Sequence, residues 1–469
     1  MISHVARIVL LVLEVVILFN LLIAVHELGH FLAAKWRKLY IEQFGIWFGR
    51  ALWQKKINGV LYSIGSIPAG GFVKLPQLAP MDIIEGEADV DRAKLPPISA
   101  LDKIIVAIAG PVFSTLLALV FACIVWTVGR PVGESDATTV IGYVMPDSSA
   151  AKVGLRPGDK ILAVDGHKVT RFTGMNDSVT WSVVRSEGDT IPVTFERAGV
   201  VRTVQVVPYK PKTSGWHRQS TRELLVMPAE AAVIETVEPK TPAAAAGLQA
   251  HDIVTGYNGT VIYSPVALAE YIEKHTKEKL AVQVTRGLQN FTVNVTPVLL
   301  PTEGQMKPRI GIGWDAEGRT FIAHTNPFEQ VYQSVTGTLE TLGAVASPKS
   351  DVKFQHMSGP IGIGHVYYEL FENERGWQLA LWFSVILNVN LAILNMLPIP
   401  VLDGGHIVLA ILEAIRRKPI NIRILEFVQT ACAVVIIGYL CYVSFFDIGD
   451  FFGSRRDAAL PKPTPAAKH

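Results

Sequence analysis

Two histidines and a glutamate lie inside an apolar run near the start of the chain, "AVHELGHFLAA", residues 24–34. His26 and His30 are four residues apart, so on a helix their imidazoles share one face, about 6 Å apart along the axis. This spacing is typical of a pair that chelates zinc, with Glu27 placed to reach a metal-bound water. Interface histidines with hydrogen-bonded neighbours are the alternative. Ionisable groups within an apolar span are usually functional, which favours the metal site.

A catalytic zinc needs a third protein ligand and one open position. The segment 395–406, "NMLPIPVLDGGH", offers this ligand, because Pro398 and Pro400 interrupt the preceding helix and Asp403 follows them. The two glycines after Asp403 allow close backbone approach. His406 is an alternative ligand, and Asp403 has the further option of capping the next helix. We expect Asp403 to join the two histidines.

The elements that must position these residues are apolar runs long enough to cross a bilayer, which takes about 20 residues. We assign a first transmembrane helix to residues 1–34, a second to 104–128, a third to 377–402 and a fourth to 425–446. The chain has 469 residues, 49% hydrophobic and 18% charged. This composition fits membrane spans combined with water-exposed domains.

Basic side chains indicate the orientation. They are concentrated in the segment 35–103 and in the short loop 403–424, which contains Arg416, Arg417, Lys418 and Arg423. By the positive-inside rule both segments are cytoplasmic, and residues 129–376 are then external. The net charge of +2 argues against a nucleic-acid partner.

The external segment contains a degenerate repeat, because residues 150–166 align without gaps on residues 243–259. The matched positions are Gly154, Leu155, Asp159 and Gly166 in the first copy, and Gly247, Leu248, Asp252 and Gly259 in the second. Stretches typical of strands flank each copy. The pattern resembles a tandem pair of PDZ domains, at 129–212 and 213–318. Ordinary duplicated β domains are the alternative.

Two further segments follow the repeats. Apolar residues recur at steps of three and four from Phe328 to Val345, which predicts an amphipathic helix in the segment 326–376. This helix either packs on the repeat domains or lies on the outer membrane surface, and the sequence does not decide between the two. The Pro- and Ala-rich tail, 447–469, is predicted to be disordered.

The motifs together resemble the site-2 protease family of intramembrane zinc metalloproteases. The resemblance rests on His-Glu-x-x-His in the first span and on "LDGG" after a Pro-x-Pro break. The stretches "FGIWFGRALW", "SIPAGGFVKL", "AGP" and "SGPIGI" agree with it in the same order. One departure is Ser114, where the family pattern usually has asparagine, and this puts a local packing or hydrogen-bond role in doubt.

The resemblance implies one Zn²⁺ per chain, held by His26, His30 and Asp403, with Glu27 as general base. It also implies substrate positioning or oxyanion support by Asn390 and Asn395, for which interhelical hydrogen bonds are the alternative.

The segment 60–74 alternates like strands and contains Gly70, Gly71 and Phe72. It is predicted to offer an open edge to which an unwound substrate adds as a strand. Membrane-dipping β elements have this role in the family that the chain resembles, and a plain cytoplasmic hairpin is the alternative.

The expected architecture is a membrane α-helical core of four transmembrane helices with a membrane-associated β-hairpin region, plus two periplasmic α+β PDZ domains. The resemblance implies an intramembrane zinc endopeptidase of the bacterial inner membrane, with its active site near the cytoplasmic side of the lipid bilayer. Its implied partners are single-span proteins, namely an anti-sigma factor and remnant signal peptides. The PDZ pair would gate access or bind a newly exposed C-terminus.

Two other functions are considered. A membrane metalloprotease of different design would cut soluble misfolded chains, but it would need its third ligand, usually a glutamate, on another helix. A catalytically silent PDZ scaffold is disfavoured by the intact His26, Glu27 and His30.

Overall fold

The computed structural model describes residues 2–78, 95–213, 218–302, 305–315, 318–418 and 420–457. The helices are α1 (Ile2–Trp36), α2 (Ala100–Val128), α3 (Ser149–Lys152), α4 (Val179–Arg185), α5 (Pro242–Ala245), α6 (Pro265–Lys274), α7 (Pro327–Ala346), α8 (Pro360–Glu372), α9 (Gly376–Asn395), α10 (Asp403–Arg416) and α11 (Ile422–Asp457). The strands are β1 (Gln43–Phe48), β2 (Trp53–Ile57), β3 (Val60–Ile64), β4 (Ile67–Lys74), β5 (Arg130–Gly133), β6 (Ile141–Val144), β7 (Lys160–Val164), β8 (His167–Lys168), β9 (Ile191–Arg197), β10 (Val200–Val206), β11 (Val226–Pro228), β12 (Ala232–Val237), β13 (Ile253–Tyr257), β14 (Thr260–Val261), β15 (Leu280–Arg286), β16 (Gln289–Val295), β17 (Val298–Thr302), β18 (Gln305–Arg309), β19 (Ile312–Trp314) and β20 (Thr320–Ala323).

Four described helices are long and apolar enough to cross a membrane, namely α1, α2, α9 and α11. Helix α2 lies between α1 and α9 and packs against both. It begins at a capping box in which Ser99 accepts from the amide of Asp102 and the Asp102 carboxylate accepts from the amide of Ser99. Helix α11 is the least buried of the four, since only 17% of its most apolar stretch is buried, against 39% for α2.

The segment between α1 and α2 forms a four-stranded sheet in the order β2-β3-β1-β4. The predicted β-hairpin region is therefore corrected to a mixed sheet. Strands β2 and β3 form a hairpin, but β3 pairs parallel to β1, and β4 pairs antiparallel to the other side of β1. Strand β4 packs on α1, where the Asn20 amide donates to the carbonyl of Pro68 at 3.2 Å. Residues 79–94 lie outside the described part of the chain.

Each repeat folds as a separate domain with its own core. The first contains a sheet in the order β10-β9-β7-β8 and the pair β11-β6, and the second contains the order β16-β15-β13-β12-β19. The two cores consist mainly of buried aliphatic side chains, and the first also contains Phe172 and Phe195.

The repeated aspartates perform the same task in both domains. Asp252 is fully buried, and its carboxylate accepts hydrogen bonds from Arg286 at 2.6 and 2.8 Å and from the amide of Gln249 at 2.9 Å. Burial alone would raise the pKa of the Asp252 carboxyl, but these bonds hold that pKa below its usual value. Asp159 is buried in the same way and pairs with Arg197.

Helix α7 packs on the first repeat domain, as one of the two alternatives for the amphipathic helix expected, and it also contacts the apolar helices. On one side the indole N–H of Trp181, on α4, donates to Glu340 at 2.9 Å. On the other side Val331 and Val335 pack against residues of α1, α2 and α9. The amide of Gln330 also donates to the carbonyl of Ala122 on α2 at 3.1 Å.

Several predicted boundaries differ from the structure. The third transmembrane helix was predicted to reach residue 402, but α9 ends at Asn395. Strand β11 falls in the segment predicted as the second repeat domain, yet it pairs with β6 of the first. The loop 403–424 contains helix α10, because the two glycines after Asp403 are accommodated in its first turn instead of preventing a helix. Helix α11 continues to Asp457, beyond the predicted start of the tail at residue 447. Its Asp447 carboxylate accepts from the amides of Gly359 and Gly362 at the start of α8, which ties this extension to the fold. The rest of the tail, 458–469, lies outside the described residues.

Candidate metal centre

The two motif histidines lie at a close crossing of α1 and α2. A β carbon at Gly29 would lie 2.4 Å from the carbonyl oxygen of Ala109. A β carbon at Gly110 would lie 2.2 Å from Nε2 of His30 and 2.8 Å from Nε2 of His26. Small residues let the helix backbones approach closely. Gly110 in particular leaves the space that both imidazoles occupy.

The third predicted ligand reaches the histidines from the first turn of α10. Helix α9 ends at Asn395, and the chain then turns through its two prolines. The turn is tight, because a β carbon at Gly404 would lie 2.2 Å from the carbonyl oxygen of Met396 and one at Gly405 would lie 2.1 Å from that of Ile399. The sequence Gly-Gly thus allows α10 to begin directly against the end of α9, with Asp403 at its start.

The ring nitrogens of the two histidines and the carboxylate oxygens of Asp403 lie close together. Nε2 of His26 lies 3.2 Å from Oδ2 of Asp403, Nε2 of His30 lies 3.4 Å from Oδ1, and the two Nε2 atoms are 3.2 Å apart. Zinc bound tetrahedrally at about 2.0–2.1 Å requires ligand atoms about 3.3–3.4 Å apart. The spacing therefore matches this metal.

Hydrogen bonding supports the same fit. Nδ1 of His30 lies 2.8 Å from the carbonyl oxygen of Val106, which can only accept, so Nδ1 carries the proton and Nε2 presents a lone pair. Oδ2 of Asp403 is buried and accepts no hydrogen bond from the described residues, although His26 lies close to it. Electron-rich atoms facing one another in a buried site fit a bound cation. The residues present therefore fit zinc.

Glu27 lines the same cavity, which has a volume of about 330 Å³. A β carbon at Gly71, on strand β4, would lie 3.2 Å from Cγ of Glu27. Strand β4 therefore passes directly beside the glutamate. His406 also lines the cavity, but the group of mutually close ligand atoms consists of His26, His30 and Asp403.

The predicted substrate-binding residues divide into two sets. Asn395, Gly71 and Phe72 line the cavity, and the amide nitrogen of Asn395 lies 3.3 Å from Nε2 of His26. Neither Asn390 nor Gly70 is among the described lining residues. Asn390 instead accepts a hydrogen bond from Thr338 on α7, which favours its interhelical alternative.

Sequence reasoning missed two contributors to this site. Phe48 lines the cavity and stacks on Phe72, with ring centroids 5.7 Å apart. It follows an irregularity in β1 at Trp47, whose φ of 68° is unusual for a residue with a side chain. Ser114 is the second, because its Oγ lies 3.0 Å from Nδ1 of His26. The sequence singled out Ser114 as a departure from the family pattern but gave it no role in the site.

Comparison with known proteins agrees with this geometry. The protein-family model described as "Peptidase family M50" matches residues 14–439 of this chain. The "Regulator of sigma-E protease RseP" of Escherichia coli (strain K12) is 26% identical over 452 residues, covering 90% of this chain and 94% of that protein. The "Putative zinc metalloprotease NMA0084" of Neisseria meningitidis is 27% identical over 449 residues, covering 91% of this chain and 96% of that protein.

Among solved structures, the PDZ domain of an SdrC-like protein from Listeria monocytogenes is 21% identical to this chain. The match covers 19% of this chain and 90% of that domain, with a TM-score of 0.17. The family assignment rests on the sequence matches, which span most of the chain. The chain belongs to peptidase family M50, the site-2 protease family, and is a zinc metalloprotease.

Proposed function

We propose that this protein is an intramembrane endopeptidase that cuts single-span membrane proteins within the lipid bilayer. The observation that carries the proposal is the convergence of His26, His30 and Asp403, with Glu27 in the same cavity. His26, Glu27 and His30 lie on α1, a helix apolar enough to span a membrane, and Asp403 begins the helix that follows α9, a second such helix. One zinc per chain, held by these three ligands, would polarise the scissile carbonyl and lower the pKa of the attacking water.

The residues of the chain supply the proton transfers. Glu27 accepts the proton of the attacking water and then delivers it to the nitrogen of the leaving amine. The amide of Asn395, close to His26, is positioned to donate to the carbonyl oxygen as it gains negative charge. The apolar surroundings limit access of bulk water and strengthen these electrostatic interactions.

A helical substrate must unwind before its peptide bonds can react, because their N–H and C=O groups are paired within the helix. Strand β4 forms an edge of its sheet in the described part of the chain. A substrate segment adding to this edge would regain backbone partners beside Gly71 and Glu27. We assign Gly71 and Phe72 to this contact, and place Gly70 in the same strand.

The proposal also covers the orientation in the membrane, the substrates and the role of the repeat domains. The basic loops would place the metal centre toward the cytoplasmic side of a bacterial inner membrane, with the repeats as tandem periplasmic PDZ domains. The relatives named as regulators of sigma-E point to an anti-sigma factor in envelope stress signalling as one substrate, and remnant signal peptides are a second class. The PDZ pair would gate access or bind a trimmed C-terminus.

The proposal is tested with protein purified in detergent, by measuring zinc per chain and cleavage of a tagged single-span substrate. Glu27→Gln is expected to retain zinc and to cut about 10²–10⁴-fold more slowly. Glu14→Gln is a matched control, because Glu14 lies about 18 Å away along the same helix. Equal cleavage of a soluble unfolded protein would favour a protease of another design. A wild-type protein that neither binds metal nor cleaves the substrate would favour a catalytically silent scaffold.

A further inference from the structure

A buried hydroxyl lies directly behind one of the two histidines of the metal centre. Oγ of Ser114, on α2, is 3.0 Å from Nδ1 of His26, and the Ser114 residue is fully buried. Histidines that bind metals almost always donate their other ring N–H to an acceptor, which fixes the tautomer and the ring orientation. The Ser114 hydroxyl is placed to be that acceptor.

The two histidines are supported by different kinds of partner. The carbonyl of Val106 can only accept, so it commits His30 to one tautomer. A hydroxyl both donates and accepts, so Ser114 permits either tautomer of His26 until a cation at Nε2 selects the one with the proton on Nδ1. His26 therefore depends on Ser114 for its orientation but is less strictly constrained than His30.

We propose that Ser114 is a positioning residue for the metal centre, acting through His26 to hold its Nε2 toward the other two ligands. This inference rests on the proposed zinc site. The close crossing of α1 and α2 explains why a side chain with a single carbon is sufficient here. Gly110 lies four residues before Ser114 and so on the same face of α2. A β carbon at Gly110 would lie 2.8 Å from Nε2 of His26, so this face of α2 lies directly against α1. The longer asparagine expected from the family pattern is not needed to reach the imidazole.

The test compares zinc affinities of full-length variants in detergent, measured by competition with a chromogenic chelator. Ser114→Ala is expected to weaken zinc binding by about 10–100-fold, as loss of an outer partner of a metal ligand typically does. Ser114→Thr keeps the hydroxyl and is expected to bind zinc nearly as tightly as the wild type. Ser384→Ala is the matched control, since Ser384 is equally buried on α9 and its hydroxyl bonds to Tyr367, away from the metal ligands.

Each outcome decides the question. Wild-type affinity in Ser114→Ala would overturn the proposal, and so would an equal loss in Ser114→Thr or Ser384→Ala, because packing would then account for the effect. A wild-type protein that binds no zinc would instead contradict the proposed function itself. Measuring the zinc-free forms by thermal unfolding separates the two roles further, since a positioning role predicts similar unfolding temperatures for Ser114→Ala and Ser384→Ala.

Discussion

Gly71 of strand β4 lies against the side chain of Glu27, so that a β carbon at residue 71 would be 3.2 Å from Cγ of the glutamate. This contact is closer than an ordinary van der Waals separation, and the backbone carbonyl of Gly45 lies equally near on another side. Strand β4 therefore leaves little room for a side chain at residue 71. A side chain at this position would press on the proposed general base.

Gly71→Ala is expected to displace Glu27 by a few tenths of an ångström and to lower the cleavage rate about tenfold, less than the about 10²-fold that a 1 Å misplacement can cost. Zinc content should stay unchanged, because the three ligands are not crowded by this residue. The rate is measured under single-turnover conditions. Gly364→Ala is the control, since a β carbon there meets no atom within 4 Å. An unaltered rate in Gly71→Ala would contradict this view of β4.

Gly110→Ala is expected to abolish zinc binding, because the new β carbon would occupy the space of both imidazoles. Alanine favours a helix over glycine by about 1 kcal/mol, so helix propensity does not account for a loss. Metal analysis of the purified variant gives the result, with Gly438→Ala on α11 as a control whose β carbon meets nothing within 4 Å. A variant that still carries the wild-type amount of zinc would rule out this packing argument.

Asn390 and Asn395, both on α9, are expected to differ in their effects. Asn395→Ala should reduce kcat about 10²–10³-fold with zinc retained, as loss of an oxyanion donor does. Asn390→Ala should instead weaken the contact of α9 with α7 by about 0.6 kcal/mol, a typical value for a hydrogen bond between membrane helices. A double-mutant cycle that combines Asn390→Ala with Thr338→Ala, followed by thermal unfolding, measures the free energy of this hydrogen bond. Equal losses of kcat in both variants would refute the division.

The second repeat domain is expected to lose stability in acid through Asp252. Its pKa is lowered in the folded state, so its stabilising contribution is fully present above the unfolded value of about 3.9 and disappears as the pH falls through the folded value. Pepsin digestion of the full-length protein across this acidic range reports on the change. In Asp252→Asn the domain should be weaker at neutral pH, and its residual stability should depend less on acid. Identical pH profiles would exclude this role for Asp252.

The proposed metal ligands could be predicted from sequence because each belongs to a local pattern. The four-residue spacing of His26 and His30 follows from helix geometry, and Asp403 follows a proline break at the end of an apolar run. The repeat was also readable, since Asp159 and Asp252 occur at the same offset as their flanking glycines. Their arginine partners were not, because Arg197 and Arg286 meet them only after the strands pair.

Other features depend on tertiary contacts that produce no recognisable pattern in the sequence. The order of strands β1 to β4 requires β1 to lie between β3 and β4, and hydrophobic alternation does not specify the order of strands. Helix α10 lies in a segment predicted as a loop, and its two glycines, which normally weaken a helix, here allow its close approach to α9. Ser114 stood out as an unusual residue, but its partner became evident only when the crossing of α1 and α2 was known.

The contacts on both sides of α7 determine how the first repeat domain can rotate. A domain joined by a slack linker would reorient independently of the rest of the chain, which is the usual expectation when an interface is small. Here the indole of Trp181 is bound to the same helix whose Thr338 is bound to α9. A rotation of the domain would therefore have to break the hydrogen bond between Trp181 and Glu340 or move α7 together with the domain.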